Sequence, residues 1–159
     1  MVIKLVLPTI LSILFLITIL SLSQPILSAQ PFASEPPVNQ PSPQNHIAQN
    51  QISVYNDRFI IETSDEIFWT KITDTKSMDP TFDSTAHVVL KKVSNPAQVQ
   101  VGDIITFTTP KGLIIHRIIA IGYDQDGWFA TTQGDNLAHP DPYPVRSDQI
   151  TGVVIAILY

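Results

Sequence analysis

Few residues in this 159-residue chain could carry covalent chemistry. There is no cysteine, which excludes disulfides, thiolate nucleophiles and cysteine-based zinc sites. Ser77 stands out in "TDTKSMDPTF", residues 73–82, a polar turn directly behind the strand-forming run "EIFWTKI". A serine hydroxyl is a weak nucleophile until a base takes its proton. Ser77 therefore matters only if a base and an orienting acid exist elsewhere in the chain. Of the four histidines, His46 lies in a Pro- and Gln-rich stretch and reads as a solvated residue. His87 sits at a strand edge in "TAHVVLKK" and reads as structural or exposed. His116 interrupts "GLIIHRIIAIGY", an otherwise apolar strand. It is either a satisfied core residue or a base held on a rigid element. Arg117 must then point to the opposite face, because side chains alternate along a strand. His139 lies in the loop "GDNLAHPDPY" with two acids, Asp135 and Asp141.

Three arrangements of this set are open. Ser77, His116 and an aspartate could form a triad for acyl transfer. His116, His139 and the two aspartates could bind a metal, the "HPD" spacing allowing two ligands from one loop. The plain arrangement is a turn serine, a core histidine and an Asp-rich turn, and spacing alone favours it.

The elements that must position these groups are strands. From Ile52 onward the chain runs through "ISVYNDRFIIET", "EIFWTKITDT", "AHVVLKKV", "DIITFTT", "LIIHRIIAIGY", "WFATTQG" and "ITGVVIAILY". These are short segments rich in Val, Ile, Thr and aromatics, separated by turn signals, and none has a helical period. "TPKGL" and "DQDG" suit hairpin turns. Residues 52–159 therefore predict one mostly β domain.

The preceding segments differ. After Lys4 no charged residue appears until Glu35, and Leu5 to Leu22 is almost wholly apolar. Those 18 residues would span about 27 Å as a helix, close to the hydrocarbon thickness of a bilayer. Residues 1–23 are therefore expected to form a transmembrane anchor. Lys4 favours an N-terminus on the cytoplasmic side and residues 52–159 outside. Residues 24–51 are dominated by Pro, Gln, Ser and Asn and read as a linker with a reach of about 30 Å. The net charge of −5 argues against a nucleic-acid partner.

Several stretches together resemble type I signal peptidases. "SMDPTF" is similar to the Ser-Met-x-Pro box of that family, and "VGDIITF" at 101–107 to its Gly-Asp-strand box. "IIHRIIAI" at 114–121 resembles the box carrying the general base, with histidine as in the archaeal and endoplasmic-reticulum branch. "TTQGDNLAHPDPYPV" at 131–145 resembles that branch's Gly-Asp-Asn box, and "ITGVVIAIL" its closing strand. The resemblance implies a signal-peptidase-like β domain behind an N-terminal transmembrane helix. It implies Ser77 as nucleophile, His116 as general base and Asp141 as the acid orienting the imidazole. Asp135 becomes a supporting acid, catalytic or structural. The Thr75 hydroxyl and the Ser77 N–H become oxyanion donors, and Met78 part of the substrate pocket. Position 76 is usually small in the family; here it is Lys76, which strand alternation would turn away from the cleft. No cofactor or metal is implied. The expected partners are signal peptides of exported preproteins and the membrane, with accessory subunits left open. The expected location is a single-pass position in the cell membrane with the catalytic domain extracytoplasmic. The alternative is an inactive or metal-binding module, membrane-anchored on the same fold.

Overall fold

The computed structural model describes residues 40–159. The expected anchor, residues 1–23, lies outside the described residues, as does the first part of the linker. Among the described residues, no helix is long and apolar enough to cross a membrane.

Among the described residues, nine strands account for the architecture. β1 (Ile52–Val54) and β2 (Phe59–Ile61) form a small antiparallel hairpin. The remaining strands are β3 (Ile67–Lys71), β4 (His87–Lys92), β5 (Ile104–Thr109), β6 (Gly112–Asp124), β7 (Gly127–Gln133), β8 (Val145–Arg146) and β9 (Ile150–Leu158). They make one sheet in the order β3-β4-β9-β5-β6-β7-β8, with every neighbouring pair antiparallel. The mostly β reading therefore holds for the domain.

The hairpins follow from turn chemistry. Thr109 pairs with Gly112, leaving Pro110 and Lys111 as the loop, and Asp124 pairs with Gly127. "TPKGL" and "DQDG" are the turns expected. One segment differs: "ISVYNDRFIIET" is broken between Val54 and Phe59. Asn56 and Asp57 favour a turn over an extended chain, so the polar middle of that segment is a loop.

Two apolar clusters hold the sheet. One contains Ile105, Phe107, Ile118, Ala130, Val145, Ile150 and Val153. The other gathers Met78, Phe82, Ala86 and Ile104, so the chain between β3 and β4 packs down through its own apolar side chains. Burying a side chain such as Phe82 contributes roughly 1.5–3 kcal/mol, and this fixes the loop that carries Ser77. β6 is buried on both faces at its centre, where His116, Arg117 and Ile118 follow one another. Alternation sends His116 and Arg117 to opposite sides.

Residues 40–47, part of the stretch read as a linker, lie against the domain. The His46 side chain, expected to be solvated, is only 5% exposed and sits beside Asp103. Composition could not reveal this, because the segment is held by one buried carboxylate rather than by an apolar pattern.

Candidate active site

His116 is fixed from one side by an acid. Its Nδ1 lies 2.7 Å from Asp141 Oδ2. An ionised carboxylate can only accept, so Nδ1 carries the proton and Nε2 of the neutral ring is left as a base. The same Asp141 oxygen accepts from the Thr132 hydroxyl at 2.6 Å, and the Asp141 N–H donates to the Thr132 carbonyl at 2.8 Å. Asp141 is thus pinned through both backbone and side chain to β7. The ring also meets the edge of Phe107, with centroids 6.5 Å apart.

Ser77 opens into the same cleft, a space of about 500 Å³ whose lining includes Thr75, Lys76, Ser77, Met78 and His116. Ser77 Oγ bonds Thr75 Oγ1 at 3.1 Å, and the Ser77 N–H reaches the same oxygen at 3.4 Å. No hydrogen bond joins Ser77 Oγ to His116 Nε2. In a ligand-free site such bonds are often long and form only with substrate. A change of the Ser77 χ1 well would release the hydroxyl from Thr75.

The turn of Ser77 is gripped from across the chain. Asn136 donates its backbone N–H to the Ser77 carbonyl and its side-chain Nδ2 to the Lys76 carbonyl, both at 2.9 Å. Lys76 itself has φ +57°, a left-handed conformation that costs a lysine about 1–2 kcal/mol. This explains why a small residue suits position 76. It also corrects the expectation for Lys76: strand alternation does not apply to a left-handed turn, and the residue lines the cleft. Gly134 packs against the same turn. A Cβ there would stand 2.6 Å from the Ser77 carbonyl and 2.9 Å from His116 Nε2.

Asp135 faces a different partner. Arg117 holds it in a fork, Nε to Oδ1 at 2.8 Å and Nη2 to Oδ2 at 2.6 Å, with side chains 6% and 2% exposed. The Thr81 hydroxyl also donates to Asp135. Met78 is buried in the second cluster and touches the cleft floor. His139 is exposed, and among the described residues no three His, Cys, Asp or Glu side chains converge as metal ligands would. Sequence reasoning missed Thr132 and the clamp by Asn136. Both act through contacts between distant segments, and neither residue type signals such a role.

Electrostatics favour the ionised forms of Asp141 and Asp103. Burial pushes the Asp141 carboxyl up, but the bonds from His116 and Thr132 and the nearby imidazole outweigh it, so it lies below the ordinary 3.8. Asp103 behaves alike: burial raises it, yet His46, Gln100 and Gln44 bring the net below 3.8. Groups held low when folded add stability above their unfolded value and lose it as pH falls through the folded one. Thermal melting should therefore be insensitive to pH from neutrality down to about 5 and fall steeply below about 4. A melting temperature that rises on acidification contradicts this assignment.

Comparison with known proteins bears on the same residues. Residues 59–125 match the family described as "Signal peptidase, peptidase S26". A curated relative, Signal peptidase I W of Bacillus subtilis (strain 168), is 32% identical over 75 residues, covering 46% of this chain and 40% of that protein. Both matches support the signal peptidase S26 family for this chain. The region matching the family contains Ser77 and His116 and ends before Asp135 and Asp141.

Proposed function

We propose that the chain is a membrane-anchored serine endopeptidase that removes signal peptides from exported preproteins. Ser77 is its nucleophile, His116 its general base and Asp141 its orienting acid. The observation that carries the reading is the 2.7 Å His116–Asp141 pair, whose histidine lines the cleft that also contains Ser77. The S26 match supports the substrate class, because the similar Bacillus protein is a signal peptidase by name. The histidine base and the Asp135-to-Asp141 spacing resemble the archaeal and endoplasmic-reticulum branch.

In this mechanism a substrate lies extended along β3, an edge strand of the sheet, and adds its backbone to it. Thr70, Lys71 and Ile72 line the cleft at the end of that strand. Ser77 Oγ turns from Thr75, gives its proton to His116 Nε2 and bonds the scissile carbonyl carbon. The resulting oxyanion takes hydrogen bonds from the freed Thr75 hydroxyl and Ser77 N–H; one such donor is worth about 3 kcal/mol in the transition state. His116 returns the proton to the leaving amine as the C–N bond breaks, leaving an ester on Ser77. Water, losing a proton to the same nitrogen, hydrolyses the ester and frees the serine. Asp141 stabilises the transient imidazolium and keeps Nε2 aimed at the serine.

Cleavage of a signal-peptide-bearing substrate by the full chain tests this reading. His116→Ala should abolish cleavage, and EDTA should leave the wild type fully active. Activity lost with EDTA and restored by zinc would replace the serine mechanism with a metal one.

A further inference from the structure

Asp103 is fully buried at the start of β5 and lies outside the proposed catalytic set. Its carboxylate gathers one segment of chain. Oδ1 accepts from the Gln44 backbone N–H, and Oδ2 from Gln44 Nε2 and from the Gln100 N–H, all at 2.9 Å. Gln44 Nε2 also donates to the Gln98 carbonyl at 2.9 Å. His46 Nε2 stands 3.1 Å from Oδ2 without forming a hydrogen bond to it. Beside this anchor the backbone of residues 41–46, a strap across the domain, lies directly on Gly102, where a Cβ would meet the Ser42 carbonyl at 2.1 Å.

The strap also touches the proposed site's support. Arg117 Nη1 donates to the Pro41 carbonyl at 3.1 Å and to the Gly102 carbonyl at 2.9 Å. Its other nitrogens hold Asp135. Asp135 lies between Gly134, which abuts the Ser77 carbonyl and His116 Nε2, and Asn136, which clamps the Ser77 turn. An unbroken series of contacts therefore runs from Pro41 through Arg117 and Asp135 to the nucleophile's turn.

We propose that residues 41–46 are a positioning strap for the catalytic centre, with Gln44 as its principal anchor. The inference rests on the function proposed above. The strap completes the shell around the Arg117 guanidinium, and through Asp135 it fixes the 134–136 turn against Ser77. No strap residue lines the cleft that contains Ser77 and His116. A shift of the turn by a fraction of an ångström is enough to impair transfer between Ser77 and His116.

The test uses the full chain, with Gln44→Ala alone and combined with His46→Ala. Limited proteolysis within residues 40–48 reads docking. The downfield proton resonance of His116 Nδ1, bonded to Asp141, reads the site without needing turnover. Peptide cleavage, measured well below the melting temperature, gives kcat and KM. The strap of the double variant should be cut faster, the Nδ1 proton resonance should broaden or shift, and kcat should fall about tenfold with KM little changed. If the double variant does not fold, Gln44→Ala alone should show the same pattern more weakly. A freed strap with unchanged resonance and kcat overturns the proposal, and so does a strap that stays protected in both variants. If the wild type cleaves no peptide, the peptidase reading fails, while the resonance still decides the strap's role.

Discussion

Asp141→Asn should fold as the wild type does and lose roughly a thousandfold in kcat. The amide can still accept from Thr132 through its oxygen, so the backbone pairing with β7 survives. What disappears is the negative charge 2.7 Å from His116 Nδ1. An imidazolium formed during proton transfer then has no counter-charge, and the correct tautomer is no longer enforced. Asp135→Asn should behave in the opposite way. It leaves the buried Arg117 without its counter-charge, an effect of about 3 kcal/mol on stability. Activity measured well below the lowered melting temperature should be reduced much less than in Asp141→Asn. Melting temperature and kcat for the two variants decide the matter. Near-normal kcat in Asp141→Asn, with Asp135→Asn folded but inactive, would reverse the two roles.

Gly134→Ala should lower kcat sharply. The added Cβ would overlap the Ser77 carbonyl at 2.6 Å and crowd His116 Nε2 at 2.9 Å. Cβ atoms essentially never stand so close to backbone, so either the serine turn or the 134–136 turn must move. The serine turn is held by Asn136 and by Met78 and Phe82 in the core, so the base and nucleophile are pushed apart. A displacement of about 1 Å can reduce kcat by roughly a hundredfold. The Gly127 turn offers a control, since a Cβ there meets nothing within 4 Å. Gly127→Ala should affect stability through its positive φ and leave kcat intact. Equal kcat in the two variants would show that Gly134 has no special closeness to the reacting groups.

The strands were legible because their signals are local. β-branched runs, the "TPKGL" and "DQDG" turns and the histidine breaking an apolar strand can each be read within a dozen residues. His116 drew notice because an imidazole in such a run needs a partner. The partner's identity was not local: Asp141 reaches His116 only after β7 and the following loop fold back. The strap is the clearest failure. Gln44 and His46 lie in a stretch with no periodicity, and their anchor, Asp103, is 59 residues from Gln44 in sequence. Composition describes solvation of an isolated segment, so it misses a polar segment captured by a buried carboxylate. Lys76 failed for another reason: alternation was extended past the end of β3 into a turn whose φ is positive.

The most direct measurement is cleavage of an exported preprotein by the full chain, wild type against Ser77→Ala, with the product's new N-terminus determined by mass spectrometry. The wild type should make a single cut at the end of the signal peptide. A Ser77→Ala variant that melts at the same temperature should give no product. Undiminished cleavage by Ser77→Ala would contradict the assignment of Ser77 as nucleophile.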